Sequence, residues 1–139
     1  MNLRVAHVDT IHVQQVWPFV EEFIQSALSK DEGVADYNVH HVQAFLTAGQ
    51  WLLIVAMDEE NRIHGAGTVS FINYPMSRVA FITSIGGKLI SNDDTFEQLK
   101  AILKQRGATK IQGYGREAIV RLWKRYNFEP RTTLVEVTI

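Results

Sequence analysis

The sequence predicts an α/β (α+β) fold in which a mixed, mostly antiparallel sheet of about six to seven strands carries helices on both faces. Apolar residues recur at three- and four-residue steps in four segments, which is typical of amphipathic helices. In six short segments they alternate or run together, as in strands. The two kinds of segment follow one another in the order β-α-α-β-β-β-α-β-α-β. With 139 residues, 46% of them apolar, residues 1–139 are expected to form a single domain.

The chain is predicted to open with a strand and a long helix. Residues 3–8 alternate with period two, and Asp9 and Thr10 then provide a helix cap. The apolar stripe of the first helix runs over residues 13–28. Pro18 interrupts this stripe, and because proline lacks the N–H donor and clashes with the preceding turn, a kink or a restart of the helix is expected there.

A loop and a second, shorter helix follow. The charged stretch 30–36 is predicted to be the loop. The helix covers residues 39–46, with Asn38 as its N-cap and Gly49 just beyond its end.

Three consecutive strands are predicted in the middle of the chain. Residues 51–57 are continuously apolar, as in a strand that is covered on both faces. Residues 63–73 and 79–85 return after short turns, so the three strands are predicted to be antiparallel neighbours. Gly65 and Gly67 are expected to leave room for a group close above the sheet.

The pattern then changes to alternating helices and strands. A helix is predicted around residues 96–103, a short strand at 109–113, a last helix around 119–126 and a closing strand at 134–139. The closing strand supplies an edge through which a homodimer is expected to form.

Charge is distributed unevenly although the net charge is only −1. Residues 1–99 carry 5 Lys/Arg and 12 Asp/Glu, a net charge of −7, whereas residues 100–131 carry 9 and 2, a net charge of +7. The basic segment either meets a polyanion, a phosphorylated cofactor or an acidic partner, or balances the acidic part within the fold. No nucleic-acid-reading motif accompanies it, so a nucleic-acid partner is not expected.

Several classes of function are excluded by composition. There is no cysteine, which removes disulfides, thiolate nucleophiles and cysteine-bound zinc. The five histidines lack metal-ligand spacing, so no metal site is predicted. The longest apolar run is too short to span a bilayer and the first residues do not resemble a signal peptide, so a cytoplasmic protein with no membrane association is expected.

One stretch near the C-terminus resembles a known family. Residues 118–128 read AIVRLWKRYNF, which is similar to the helix and following turn of the GNAT superfamily of acyl-CoA-dependent N-acyltransferases. Asn127 replaces the usual glycine of that turn and tolerates the same left-handed conformation. Trp123 stands where many members have the tyrosine that protonates the departing thiolate, and an indole N–H is too weak an acid for this. Small GNAT-like proteins encoded by bacteriophages look similar.

The resemblance implies acetyl-CoA (coenzyme A) as cofactor, with pantetheine beside a strand end and the diphosphate at the next helix N-terminus. Residues 84–94, SIGGKLISNDD, keep two glycines and one cation of the family's loop but not its spacing. The cofactor-binding residues predicted on this basis are Ser84, Ile85, Gly86, Gly87, Lys88, Arg116, Arg121 and Lys124.

The same loop also contains groups that oppose a diphosphate. The candidate caps of the next helix are Ser91, Asn92, Asp93 and Asp94, in the pairs Ser91 with Asp94 or Asp94 with Glu97. The carboxylates of Asp93 and Asp94 would then lie at the positive end of the helix, where they repel phosphate.

Two hypotheses on function follow from the resemblance. The first is an N-acetyltransferase in which the primary amine of a small molecule or peptide attacks the thioester directly, with His64 and Tyr74 as candidate catalytic groups. The second is a protein that keeps the fold but has lost the cofactor, and that serves as a binding or structural component, such as one associated with phage. Trp123 and the altered loop favour the second. The resemblance favours the first, because many family members act without that tyrosine and the loop tolerates variation, so the N-acetyltransferase is the predicted function and the second hypothesis is the alternative.

Overall fold

The computed structural model describes residues 2–30 and 35–139, and the described part contains five strands and four α-helices. The strands are β1 (Arg4–Val8), β2 (Leu52–Met57), β3 (Ile63–Tyr74), β4 (Ser77–Gly87) and β5 (Lys110–Gly113). The helices are α1 (Val13–Ser29), α2 (Val39–Thr47), α3 (Asp93–Gln105) and α4 (Glu117–Trp123). Short 3₁₀ turns precede α1 and follow α4. Most of the loop predicted over residues 30–36 lies outside the described residues.

The strands form one sheet in the order β1-β2-β3-β4-β5. Neighbours are antiparallel from β1 to β4, as predicted for the three central strands, whereas β5 runs parallel to β4. The predicted class, a mixed and mostly antiparallel sheet with helices, is therefore confirmed.

The predicted number of strands and the closing strand over residues 134–139 are wrong. Residues 127–139 have no regular secondary structure, and the side chains from Glu129 to the end are all exposed. A strand needs a partner for its N–H and C=O groups. Residues 129–139 form no hydrogen bond with the part of the chain that the structure describes.

The helices α1 and α2 cover one face of the sheet. Val13, Trp17, Val20 and Ile24 of α1 are buried in a core cluster that includes Leu53 of β2. α1 is a single helix that runs through Pro18, so the expected restart at this residue does not occur.

The helix α3 covers the opposite face. Its Leu99 and Leu103 pack with Ile54 of β2 and Ala80 of β4 in a second core cluster. Because Leu53 and Val55 of β2 face the first cluster while Ile54 and Ala56 face the second, this strand is buried on both sides, as its continuous apolar sequence predicts.

Helix caps follow the prediction at α2 and only in part at α3. The Asn38 side chain accepts hydrogen bonds from the N–H groups of His40 and His41, as expected for an N-cap. At α3 the cap is Asn92, whose side chain accepts from the N–H of Thr95. The Thr95 hydroxyl in turn accepts from the N–H of Asn92, 3.2 Å away. Asn92 is one of the four candidate caps, but the predicted pairs Ser91–Asp94 and Asp94–Glu97 are wrong, because Asn92 and Thr95 satisfy the backbone N–H groups at the start of the helix.

Candidate active site

A β-bulge in β4 marks the site. Thr68 of β3 pairs with Ser84 and the next residue, Val69, pairs with Ile82, so Thr83 is the extra residue of β4. A bulge of this kind bends the strand and interrupts the regular alternation of its side chains.

Three buried hydroxyl groups meet at the bulge. The Thr68 Oγ1 lies 2.7 Å from Thr83 Oγ1 and 2.6 Å from Ser84 Oγ. Thr83 also donates to the Thr68 carbonyl oxygen, 3.0 Å away. Because Thr83 and Ser84 are consecutive but both reach Thr68, the bulge places them on the same face. This network holds the bulge in place, since buried hydroxyls are costly without partners.

Beyond the bulge, β4 has a free edge. β5 pairs with β4 only from Val79 to Ile82, where Ile82 is opposite Gly113, and β4 continues to Gly87 with β3 as its partner on the other side. In its antiparallel pairing with β3, only every other residue of β4 directs its N–H and C=O toward β3. The remaining backbone groups of residues 83–87 therefore face away from β3, toward the gap left by β5.

This gap is a cleft of about 730 Å³. One wall is the free part of β4 from Ile82 to Gly87, and the other is the chain that leaves β5, from Gly113 to Arg116. Side chains from the second half of α1 and from α4 complete it. Tyr37 also lines the cleft, and its hydroxyl donates a hydrogen bond of 2.6 Å to the carbonyl oxygen of Thr83.

The predicted cofactor residues divide into two groups. Ser84, Ile85, Gly86, Gly87 and Arg116 line the cleft. Lys88, Arg121 and Lys124 are exposed and lie outside its lining.

The two predicted catalytic residues are not in the cleft lining. His64 is the second residue of β3, after Ile63, and its Nε2 lies 2.8 Å from Asp58 Oδ2. Tyr74 is half exposed at the far end of the β3–β4 hairpin, six residues beyond Thr68. Six residues of strand extend about 20 Å. Their roles in proton transfer stay predictions.

Asp58 organises the turn before β3. Its Oδ1 accepts from the N–H groups of Glu60 and Arg62, at 2.9 and 3.0 Å. The His64 hydrogen bond, followed by these backbone hydrogen bonds and the Arg62 charge, lowers the pKa of Asp58 from 3.8 to about 2. The hydrogen bond to Asp58 therefore gives His64 a structural role in holding this turn.

The glycines of this region accommodate the protein's own chain. A Cβ on Gly65 would lie 2.5 Å from the backbone nitrogen of Leu89, and one on Gly67 would lie 2.6 Å from the Leu89 side chain. A Cβ on Gly86 would collide with the Phe23 carbonyl oxygen of α1. The group that was expected close above Gly65 and Gly67 is therefore the loop after β4.

The start of α3 fits a diphosphate poorly. Its first turn carries Asp93 and Asp94, and the Asn92–Thr95 pair already caps it. Arg125, which belongs to the basic segment, lies 3.9 Å from Asp93, so part of that positive charge balances acidic residues within the fold. In contrast, the free edge of β4 and the cleft beside it fit an extended amide chain such as pantetheine.

The cleft residues that were not predicted from the sequence include Glu22, Tyr37 and Tyr114. Glu22 and Tyr114 are exposed, and the Tyr114 ring packs edge-on against Phe81, with a centroid distance of 5.1 Å. Tyr114 could have been found from the sequence, because it directly follows the short strand predicted at 109–113. Nothing in the local sequence connects Tyr37 with residues 46 positions away.

Other kinds of site receive less support. A second cavity of about 1000 Å³ lies between the start of α1 and the ends of β1 and β2. No group of three or more His, Asp or Glu side chains among residues 2–30 and 35–139 is placed to hold a metal ion. No helix in the same part of the chain is long and apolar enough to cross a membrane.

The sequence matches no protein-family model. No curated protein matches it significantly. Solved structures do match. A predicted acetyltransferase from Clostridium acetobutylicum, solved with acetyl-CoA, is 17% identical with a TM-score of 0.63, over 99% of this chain and 96% of that chain.

Two aminoglycoside acetyltransferases from uncultured soil metagenomic samples are also similar. One is 14% identical with a TM-score of 0.69, over 100% of this chain and 99% of that chain. The other, solved in complex with sisomicin, is 11% identical with a TM-score of 0.67, over 99% of this chain and 96% of that chain. The element order, the sheet and these matches together show that the chain has the fold of the GNAT acyl-CoA N-acyltransferases.

Proposed function

We propose that this protein is an N-acetyltransferase that transfers the acetyl group of acetyl-CoA to a primary amine of a small molecule or peptide. The observation that carries the proposal is the cleft of about 730 Å³ beside the free edge of β4. The solved structure with acetyl-CoA among the similar chains supports the choice of donor.

The strand edge is the part of the site that binds the donor. The outward N–H and C=O groups of residues 84–87 pair with the amides of pantetheine as an added strand would. Tyr37 holds the carbonyl oxygen of Thr83, so this part of the edge is fixed before binding. Acetyl-CoA supplies an acetyl group already activated as a thioester, which an amine attacks directly.

The phosphates are held by cations rather than by the start of α3. Arg116 lines the cleft, and Lys88, Arg121 and Lys124 are exposed outside its lining, each within two residues of a cleft residue in the sequence. These four side chains carry the phosphate contacts in this proposal, against the repulsion of Asp93 and Asp94. This repulsion is expected to keep the affinity for acetyl-CoA moderate.

Tyr114 takes the place of the missing tyrosine at position 123. Tyr114 is in the cleft wall formed by the chain after β5. In this proposal its phenol donates the proton that the departing thiolate needs. Trp123 lines the same cleft but is 8% exposed, and its side chain packs against Phe128. Trp123 therefore shapes the wall of the cleft and does not transfer a proton.

Glu22 attracts the acceptor. It is an exposed carboxylate on α1 at the cleft, where it attracts a protonated amine. The amine gives its proton to water in the open cleft and then attacks the thioester. The similar structure in complex with the aminoglycoside sisomicin supports a cationic acceptor.

The test combines titration calorimetry with a transfer assay on an amine panel. Acetyl-CoA is expected to bind with a Kd below about 100 µM, roughly 5.5 kcal/mol. Tyr114→Phe should lower kcat about 100-fold and leave the Kd for acetyl-CoA unchanged. Glu22→Gln should raise KM for the amine, whereas Glu21→Gln, one position away and outside the cleft lining, should not.

Absence of binding heat and of thermal stabilisation by acetyl-CoA would contradict the proposal. The remaining interpretation would then be a protein that keeps the fold without the cofactor. Binding without transfer to any amine of the panel would contradict the acetyl-transfer step and keep the assignment of the cleft.

A further inference from the structure

We propose that the hydroxyl oxygen of Ser84 accepts a hydrogen bond from the N–H of the attacking amine, and that the buried hydroxyls of Thr68 and Thr83 fix it as an acceptor. This role rests on the proposed function, because it adds a contact for the acceptor amine in the same cleft.

The hydrogens of the three hydroxyl groups at the bulge can be assigned in one way only. Each group holds one hydrogen, and three contacts need one each. Thr83 Oγ1 donates to the carbonyl oxygen of Thr68 at 3.0 Å. The 2.7 Å contact between Thr68 Oγ1 and Thr83 Oγ1 therefore uses the hydrogen of Thr68. The 2.6 Å contact between Thr68 Oγ1 and Ser84 Oγ is then left with the hydrogen of Ser84, so Ser84 is the donor there.

Ser84 presents the accepting end of this chain to the cleft. It lines the cleft although its side chain is only 5% exposed, whereas Thr68 is fully buried and outside the lining. Among residues 2–30 and 35–139, Thr68 is the one hydrogen-bond partner of the Ser84 hydroxyl. Because its hydrogen is engaged, the hydroxyl offers the cleft lone pairs alone. A ligand group beside it therefore has to be a donor.

The same arrangement excludes Ser84 as a nucleophile or a proton relay. A nucleophilic serine needs a base that takes its proton. Here the proton would pass through Thr68 to Thr83, and the chain ends at the carbonyl oxygen of Thr68. A backbone carbonyl accepts hydrogen bonds but is not a base at neutral pH, so Ser84 keeps its hydrogen.

The Ser84 side chain faces the part of the cleft that the amine enters. A Cβ on Gly86 would point at the backbone of Phe23 in α1, and side chains two residues apart in a strand share a face. Ser84 therefore faces α1, and Glu22, which attracts the protonated amine, lies on α1 at the same cleft.

The acetyl end of the donor lies at the same place. Lys88 directly follows Gly87, the last residue of β4, and is outside the cleft lining, so the phosphates lie at that end of the strand. Pantetheine that runs along residues 84–87 then brings the thioester to Ser84, at the bulge.

The contact with Ser84 becomes stronger during the reaction. The amine nitrogen bonds to the acetyl carbon and becomes positively charged, and charged donors form hydrogen bonds about twice as strong as neutral ones. The contact therefore stabilises the transition state more than the bound amine. The carbon–sulfur bond then breaks, the thiolate takes the proton of Tyr114, and the nitrogen gives its surplus proton to the Tyr114 phenolate.

The kinetic test compares side chains of the same shape. Threonine and valine differ at position 84 only in the hydroxyl, so Ser84→Val should have a kcat about 10-fold lower than Ser84→Thr. The two variants should share the same Kd for acetyl-CoA by calorimetry. The acceptor is the amine that the native chain acetylates fastest in the panel, and circular dichroism checks that each variant is folded.

A second variant separates the acceptor role from support of the bulge. Thr68→Val loses the same hydrogen bond between Thr68 and Ser84 but keeps the Ser84 oxygen. Its urea midpoint should fall as much as that of Ser84→Val, whereas its kcat should stay within about 3-fold of the native value. Equal losses of kcat in the two valine variants of an active chain would overturn the role of Ser84. A native chain that acetylates no amine would overturn the proposed function and this role with it.

Neutron diffraction from crystals of the deuterated protein tests the hydrogen assignment without any substrate. The deuterium of the Ser84 hydroxyl should lie between Ser84 Oγ and Thr68 Oγ1. A deuterium that points from Ser84 into the cleft would overturn the proposal whatever the activity of the chain.

Discussion

Gly65→Ala is expected to destabilise the protein because the loop after β4 packs directly on this glycine. The added Cβ would lie 2.5 Å from the Leu89 nitrogen, 2.6 Å from the Lys88 nitrogen and 2.9 Å from the Lys88 carbonyl carbon. Ordinary contacts are about 3.5–4.0 Å, so the loop backbone has to move by about 1 Å. Leu89, which is 2% exposed, would be pulled from the core with it.

The magnitude follows from two opposing terms. Overpacking of a tight site costs about 1–3 kcal/mol. Replacement of glycine in a strand returns about 0.5–1 kcal/mol, because alanine has less conformational freedom in the unfolded chain. The net loss is roughly 1–2 kcal/mol, or a Tm lower by roughly 3–8 °C for a chain of this size.

Urea unfolding and thermal unfolding of the variant measure this loss, and Gly113→Ala is the matched control. Gly113 is also a strand glycine, but its added Cβ would lie at an ordinary 3.5 Å from Ile82. The control should be as stable as the native chain or slightly more stable. A Gly65→Ala protein that unfolds at the same urea concentration as the control would refute the packing argument.

Three further predictions concern caps, pH and charge. Asn92→Ala should lower the free energy of unfolding by about 1 kcal/mol, because it removes the cap of α3. Ser91→Ala, whose hydroxyl makes no hydrogen bond with the described residues, should leave it unchanged in the same urea titration. Since the folded pKa of Asp58 is lowered to about 2, its contribution is present above 3.8, the value without these contacts, and is lost as pH falls from 3.8 to about 2. The urea midpoint of the native chain should therefore fall more steeply across this range than that of Asp58→Asn, and parallel curves would contradict the assignment. The double substitution Asp93→Asn and Asp94→Asn should tighten acetyl-CoA binding about fivefold by removing roughly 1 kcal/mol of repulsion, and should not affect S-acetylpantetheine, which lacks the diphosphate.

The regular elements could be predicted because each carries its own periodic signal. The stripe of α1, the continuous apolar run of β2 and the Asn38 cap of α2 depend on neighbouring residues, and the structure contains all three. The closing strand at 134–139 had an equally clear pattern. It is absent because a strand also requires a partner edge, which a local pattern does not reveal.

The site could be predicted only in part, for a related reason. The resemblance to the GNAT family predicted cofactor contacts at Ser84, Ile85, Gly86, Gly87 and Arg116; these residues line the cleft, and their contact with a cofactor stays a prediction. Tyr37 reaches the bulge from a distant part of the sequence, so its contact with Thr83 follows from tertiary packing. Gly65 was correctly recognised as a position of close approach, but the sequence did not indicate that the approaching group is the loop at Lys88 and Leu89.

The central claim is that the cleft between β4 and the chain after β5 binds acetyl-CoA. Amide NMR spectra of the isotope-labelled full chain during titration with acetyl-CoA test it most directly. The account predicts that acetyl-CoA shifts the amide resonances of residues 83–87 and 113–116, and that S-acetylpantetheine shifts those of residues 83–87. Spectra that do not change, or shifts confined to the second cavity around His7, His12 and Arg62, would contradict it.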